Sequence, residues 1–363
     1  TTELQILAVD ADPANVRRAR ARLANAGVYG SQVQVHLLNP AATEYPRYFA
    51  NLVVSGKSVT GGPGALPQAE AERLQRPCGG VICVGRPGDM QVDIRGPLPG
   101  SGNWTHQYAD PANSLTSNDE LVRGPLSVLW YRDVDFQVPS RHGRAPSPLY
   151  DQGRIFHEGM NGLIAVDAYN GHELWRYDIP DLLKAYDGDE LMGVAGTGSN
   201  FCVGGEFVFV RDGQRCLQLE ASTGTLIAEY QTPVDEGSQP GTWGYIAFHN
   251  GVLFGSRAID EHIVTYRYVN RGGDMSKLLT ESSELFALDV KNGDTLWRYH
   301  AADAIRHNTI AIVDVRVFLI VRTLALFDRE KKPNSRNHPT GQIVALYFRT
   351  GRQLCRTADD FFF

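Results

Sequence analysis

The chain has 363 residues, 42% of them apolar, and a formal charge of −6, which allows two domains or one large repeat domain with a sizeable core. It contains no run of about 18 apolar residues, which excludes a membrane-spanning helix, and the acidic balance argues against a nucleic-acid surface. Five cysteines without a C-x-x-C spacing suggest neither a zinc ribbon nor attached haem.

No signal peptide opens the chain, which starts almost inside a strand, so a preceding segment is expected to be missing. Residues 4–10 form an apolar run ending in Asp10. Asp12 and Pro13 then read as an N-cap and first helical position, followed by Val16, Ala19, Leu23 and Ala26 at helical spacing, with Gly27 closing the helix. Arg17, Arg18, Arg20 and Arg22 read as the solvated face of that helix. Further strands are predicted over 33–38, 50–54 and 80–84, with a short helix over 68–76, so the start of the chain reads as a parallel α/β sheet. The Gly56-Lys57-Ser58 triplet lacks the earlier glycine of a phosphate loop, since position 51 is Asn51, and the stretch to Gly64 is expected to be a surface loop.

The segment LAVDADPANVRRARARL resembles the second strand and following helix of class I S-adenosylmethionine-dependent methyltransferases. That resemblance implies Asp10 as the acid that binds the cofactor's ribose hydroxyls, a role suited to a carboxylate at the end of a parallel strand. The family's glycine-rich first loop would precede Leu4, and Asn39 stands where an acid usually reaches the adenine. A partial, vestigial Rossmann-like segment is therefore expected over 1–90, with S-adenosylmethionine bound weakly or not at all.

Beyond Pro87 the composition shifts to proline, glycine and short strands, and a second domain is expected over 91–363. Residues 126–132 read as the outer strand of a repeat, with Trp130 in a conserved-looking slot of the pattern. Asn103-Trp104-Thr105 is also a glycosylation sequon. Then comes a recurring hairpin, GLIAVDAYNGHELWRYD over 162–178 and ELFALDVKNGDTLWRYH over 284–300, with weaker copies over 216–230 and 342–356. The turn glycines are Gly171, Gly224, Gly293 and Gly351; Trp175 and Trp297 share one position, which Ala228 and Cys355 fill in the weaker copies. The Asn-Gly pairs are expected to supply positive φ angles for a tight turn. With two short strands before each hairpin, the glycine steps of 53, 69 and 58 residues fit four-stranded propeller blades plus insertions over 258–283 and 327–340.

The A-x-D-x-x-x-G-x-x-x-W turn and the order of these units over 103–357 resemble the pyrroloquinoline-quinone-like (PQQ-like) β-propeller repeat proteins, and residues 103–114 resemble the leading segment of quinoprotein-like propellers. The match extends to a bacterial group with a methyltransferase-like segment ahead of the propeller. The fold implied is mainly β: a propeller of four-stranded antiparallel blades, about four of them recognisable where the class normally has more, with the hairpins in separate sheets arranged radially. The resemblance also implies a periplasmic or other extracytoplasmic bacterial protein. Quinoprotein dehydrogenases carry adjacent cysteines beside PQQ and calcium; this chain has no adjacent cysteines, so PQQ is doubtful.

In a propeller, the loops leading into the innermost strands converge on the central funnel. Here they carry Arg141, His142 and Arg144; Asn200; Trp243 and Tyr245; and Arg306, His307 and Asn308. The arginines and His307 suit a carboxylate or sulfate, and the aromatic rings suit a sugar face. A binding or scaffold propeller taking an anionic or glycan ligand, or a protein partner on its face, is the leading expectation. The alternatives are a carbohydrate-active or redox enzyme with His142 or His307 as general base and, last, a methyltransferase. A catalytic funnel predicts a histidine beside an arginine in a concave pocket.

Overall fold

The structure, a computed structural model, describes residues 4–132, 135–138, 146–183, 200–259, 281–322, 340–357 and 361–362. The chain divides into two compact units, Thr1–Pro99 with Pro125–Tyr131, and Gly100–Gly124 with Arg132–Phe363.

In the first unit, β1 (Ile6–Asp10) leads to α1 (Pro13–Asn25), whose N-cap Asp12 accepts from the Ala14 N–H. Gly27 takes a positive φ of 72° just past its end, as expected of a helix stop. β1 pairs in parallel with β2 (Val33–Leu37). β3 (Leu52–Val54) pairs in parallel with β4 (Val81–Arg86), but β4 turns back into an antiparallel β5 (Asp89–Ile94). The strands thus form a two-stranded and a three-stranded sheet, which corrects the expectation of one parallel sheet. The Gly56–Gly64 stretch is also more ordered than a loop. It forms α2 (Ser58–Gly61), where Ser58 is buried, donating to Ser55 O and accepting from the Gly85 N–H. A further helix, α3 (Gln68–Leu74), stands between α2 and β4.

The second unit is a set of antiparallel meanders. The first is β6 (Leu149–Asp151), β7 (Arg154–Gly159), β8 (Gly162–Asp167) and β9 (Glu173–Asp178). The second is β10 (Phe201–Gly204), β11 (Phe207–Asp212), β12 (Arg215–Glu220) and β13 (Leu226–Gln231). The third is β14 (Trp243–His249), β15 (Val252–Ala258), β16 (Glu281–Asp289) and β17 (Thr295–Arg306). The fourth is β18 (Ala311–Val313), β19 (Arg316–Arg322), β20 (Thr340–Tyr347) and β21 (Gln353–Arg356), with a short β22 (Phe361–Phe362) on β20.

Both faces of the second and third meanders are covered, so their middle strands are nearly continuous apolar runs. Alternate residues of the second meander face opposite neighbours. Phe201, Val203, Val208, Val210, Leu217 and Leu219 pack on Leu149, Phe156, Leu163 and Trp175 of the first, whereas Cys202, Phe209, Cys216 and Tyr230 pack on Ile246, Leu253 and Phe286 of the third. The far face of the third, including Phe254, Leu285 and Trp297, packs on Ile312, Val317, Leu319 and Val344 of the fourth.

The four turns share one construction, in which the glycine N–H donates to the carbonyl four residues earlier: Gly171 to Asp167, Gly224 to Glu220, Gly293 to Asp289 and Gly351 to Tyr347, at 2.8–2.9 Å. Only the glycines take positive φ, at 64–76°. Asn170 and Asn292 instead accept the N–H two residues on (3.0 and 3.1 Å), which corrects the expected Asn-Gly tight turn to a longer one with a single left-handed residue.

Each of the last three turns receives an aromatic side chain from the preceding meander. The Trp175 indole N–H donates to Ala221 O (3.0 Å), Tyr230 Oη to Val290 O (3.0 Å), and the Trp297 indole to Phe348 O (2.8 Å). The rings lie against the turn glycines: a Cβ on Gly224 or Gly351 would stand 2.7 Å from the tryptophan ring.

Two expectations differ. Residues 126–132 form no strand, and Leu126, Val128 and Tyr131 are exposed, since an outer strand needs an inner one to pair with and no described strand pairs with it. The last two hairpins also share one nine-stranded sheet. β17 continues past its hairpin, and Ala304 and Ile305 pair with Arg322 and Val321 of β19.

Trp175→Ala or Trp297→Ala removes both ring and donor and is expected to cost about 3–5 kcal/mol. The Trp297→Phe change keeps a ring but leaves the buried Phe348 carbonyl unpaired, costing about 1–3 kcal/mol. Urea unfolding of the three variants checks this, and costs below about 1 kcal/mol for the alanine changes would remove the indole from its structural role.

Candidate functional site

The inner ends of the four meanders meet a single segment. Trp104 exchanges backbone hydrogen bonds with Tyr150 of β6, and Thr105 O accepts from the Val203 N–H of β10 (2.9 Å). His106 Nε2 accepts from the Phe248 N–H of β14 (3.2 Å), and Pro111 O from the Ile312 N–H of β18 (2.7 Å). Asn113 Nδ2 donates to Ile310 O (2.8 Å). Residues 104–113 thus cross the first strand of every meander in order.

Beside this segment the expected funnel is packed. Phe156, Phe209, Phe254 and Phe318 stand opposite Ala165, Gln218, Ala287 and Ala345, so Glu158, Arg211, Ser256 and Ile320, two residues on, are equivalent positions. Arg211 Nη2 donates to Asn200 Oδ1 (2.5 Å), and its Nη1 to the carbonyls of Trp243 and Gly244. Glu158 is 3% exposed and neither carboxylate oxygen has a hydrogen-bond partner. Burial pushes its carboxyl up to about 8, against the opposing pull of the Arg211 charge and the Asn200 amide.

Gly244 links this group to the next. A Cβ there would lie 2.6 Å from His307 Nε2 and 2.7 Å from Ser256 Oγ, so only glycine lets the strand pass. Ser282 Oγ lies 2.6 Å from His307 Nε2 and donates to Ser256 Oγ (2.7 Å), which accepts the Tyr245 N–H (2.7 Å). Further along, Arg322 donates to the buried Glu281 (2.8 Å). Arg306 is depressed by burial and by Arg322, with Glu281 acting oppositely.

The sequence-predicted residues therefore divide. Asn200, Trp243, Tyr245, Arg306, His307 and Asn308 fall along this line; Arg141, His142 and Arg144 lie outside the described residues. Trp243, 1% exposed, packs edge-on against Phe286 at 5.0 Å, which corrects the expectation of an open face for a sugar ring. His307 is 0% exposed, as are Ser256 and Ser282, so the expected general base is sealed and bonded to a serine rather than set beside an arginine in a concave pocket. Tyr245, His307 and Asn308 line a cavity of ≈ 10 Å³ with His106, Gln107, Tyr108 and Asn113, at the lower limit for one water molecule.

Glu158, Arg211, Ser256, Ser282, Glu281, Arg322 and His106 carry the site without being picked out by motif. A signal existed in the repeat register, where the column holding Ile320 in the fourth meander holds Glu158, Arg211 and Ser256 in the others.

Asp10 ends β1 as expected, but its carboxylate accepts from the Asp12 N–H (2.8 Å) and Asn15 Nδ2 (3.2 Å). The Asp12 N–H leads in holding it below the usual carboxylate range. Both oxygens serve the start of α1.

The cavity beside residues 104–113 is far smaller than a tricyclic quinone, and among the described residues no group of three His, Cys, Asp or Glu could hold a metal ion. Cys202 and Cys216 are buried core residues whose thiols burial pushes up.

Residues 127–244 match the family model PQQ_2, described as outer membrane protein assembly factor BamB. The chain is 29% identical over 163 residues to quinohemoprotein alcohol dehydrogenase ADH IIB of Pseudomonas putida, covering 42% of this chain and 23% of that protein. Similar solved structures include quinohemoprotein alcohol dehydrogenase from Comamonas testosteroni (TM-score 0.46, 14% identity, 71% of this chain and 41% of that one). Another is BamB from Moraxella catarrhalis (TM-score 0.36, 13% identity, 64% and 56%). The chain thus spans under a quarter of its curated relative's length. The match over 127–244, about a third of the chain, is to PQQ-like repeats, and the repeated antiparallel meanders accord with it. Among the described residues no helix is long and apolar enough to cross a membrane.

Two buried groups set a pH window. Glu158 binds its proton more tightly folded (about 8) than at its ordinary 4.5, so its contribution is full below 4.5 and is lost as pH rises through 8. His106 is pushed down to about 3, chiefly by burial, so its contribution is full above 6.5 and is lost as pH falls. Urea unfolding between pH 5 and pH 9 should therefore show Glu158→Gln gaining on the unaltered protein with rising pH, by about 1.4 kcal/mol per unit until Glu158 ionises. Parallel stability curves would show that Glu158 does not titrate in this window.

Proposed function

We propose that this chain is a PQQ-like β-propeller scaffold that acts through a protein partner on its outer surface, with the inner ends of its repeats closed by its own residues 104–113. The observation that carries this reading is the crossing of all four first strands by that segment, beside a cavity of ≈ 10 Å³. A funnel for a glycan or a carboxylate ligand needs open donors and aromatic faces. Here Arg211, Ser256, Ser282 and His307 bond to one another or to backbone groups of neighbouring strands, and Arg322 bonds to Glu281. The family description supports partner binding and a place outside the bacterial cytoplasm, since it is that of an outer membrane assembly factor. We assign Gly100–Gly124 and Arg132–Phe363 to the propeller, with four blades within this chain, and Thr1–Pro99 to a separate α/β segment.

One observation favours a second reading, a redox or carbohydrate-active enzyme: the partnerless buried carboxyl of Glu158 among Asn200 and Arg211, the kind of perturbed acid that functional sites hold. Thermal shift against S-adenosylmethionine, PQQ with calcium, and sulfated or uronic oligosaccharides separates the two. The scaffold reading expects no ligand to raise the melting temperature by more than about 1 °C. A ligand at about 100 times its Kd adds about 2.7 kcal/mol, several degrees for a domain of this size. A shift of that size would overturn the scaffold reading and name the ligand class.

A further inference from the structure

The contact between the second and third meanders lacks the tryptophan that fills its neighbours. Trp175 stands opposite Ala165, and Trp297 opposite Ala287. Each lays its ring on the next turn's glycine. At the same register between β12 and β13, Ala228 stands opposite Gln218. Tyr230, two residues on, reaches Val290 O and Gln218 with its hydroxyl, but its ring covers the turn only partly: a Cβ on Gly293 would be 3.7 Å from it, against 2.7 Å at the tryptophan-covered glycines.

What remains is a surface groove of ≈ 320 Å³ between Ala228–Gln231 of β13 and the Leu288–Gly293 turn. An apolar cavity of about 150 Å³ already takes up benzene, so this one has room for an indole and part of the backbone carrying it. β13 is the edge strand of its sheet, pairing with β12 alone among the described strands, and an edge strand offers backbone donors and acceptors to an extended chain. The charges at the rim are unequal. Glu229 is paired with Arg215 (3.3 Å), whereas Lys291, among the described residues, has no ion-pair partner.

We propose that this groove docks an extended segment of a partner protein, with a tryptophan inserted against Ala228 and Gly293 in the place its sister repeats fill from within, and an acidic residue beside it facing Lys291. This rests on the scaffold reading and supplies the chemistry of the partner.

The probe is a fluorescein-labelled hexapeptide with one tryptophan followed by aspartate, compared with versions carrying alanine or lysine at those positions, by fluorescence polarisation on the full chain. Binding is expected to weaken by about tenfold or more when the peptide's tryptophan becomes alanine, or when Ala228→Trp fills the groove. Lys291→Glu, an exposed change that leaves the fold alone, should reverse the preference from aspartate to lysine. Equal binding by the unaltered protein and A228W, no binding up to about 1 mM, or an unchanged charge preference in K291E would overturn the proposal. So would a dimer that A228W dissolves, which would give the groove to a second copy. A ligand-induced thermal shift at the inner ends would instead count against the scaffold reading, so the two fail separately.

Discussion

At every joint between the successive repeats described, an aromatic side chain reaches from one outer strand to the next turn. Its geometry makes two demands at once. The ring needs a glycine surface to lie on, and its polar atom needs the carbonyl that follows the turn's first residue: Ala221 after Glu220, Val290 after Asp289, Phe348 after Tyr347. The turn supplies both because its glycine already takes a positive φ to close the hairpin. One residue therefore satisfies the fold within a repeat and the fit between repeats, which is why the turn and the aromatic recur together.

The inner ends follow a different logic. Strands brought close around a centre expose backbone carbonyls and little room, and the chain meets them with long donors, Arg211 and Arg322, and with the short Ser256, Ser282 and Gly244. Almost every polar group there is paired. Among the described residues the Glu158 carboxyl and the Trp243 indole N–H are the exceptions, and the neutral form of Glu158 is the one that burial favours. His106 is its counterpart in the crossing segment, neutral because burial excludes the charge, with Nε2 accepting from Phe248 and Nδ1 facing the Thr105 hydroxyl at 2.8 Å. The same region is thus held by one uncharged acid and one uncharged base.

The repeats were legible because their determinants are local. Glycine at 171, 224, 293 and 351, with tryptophan four residues on in two copies, fixes a hairpin without reference to anything distant. The substitution of Tyr230 for the missing tryptophan was not legible, because it sits two residues off the pattern and acts only through a turn sixty residues away. The N-terminal segment misled for a related reason: strand and helix periodicity place β1, α1 and β4 correctly, yet periodicity says nothing of which strands share a sheet, and β5 caps β4 where a parallel neighbour was expected. At the inner ends, Asn200, Tyr245, His307 and Asn308 were found by asking which loops converge. The burial of Asn200, Tyr245 and His307 was not foreseen, since the segment beside them, 104–113, was recognisable as a leader but not as a cover.

The run-on of β17 into β19 has a mechanical consequence. Between the first and second repeats the joint is side-chain packing with one aromatic hydrogen bond. Between the second and third the Trp243 backbone N–H also donates to Gly213 O (2.8 Å) and Arg211 to the carbonyls of Trp243 and Gly244. Between the third and fourth, Ala304 and Ile305 stitch the two main chains together, and sliding one past the other must break sheet ladder as well as core. A chain built from stacked units usually opens one unit at a time; here the third and fourth repeats are tied to open as one piece, and the first joint, made by side chains, is the easier one to part.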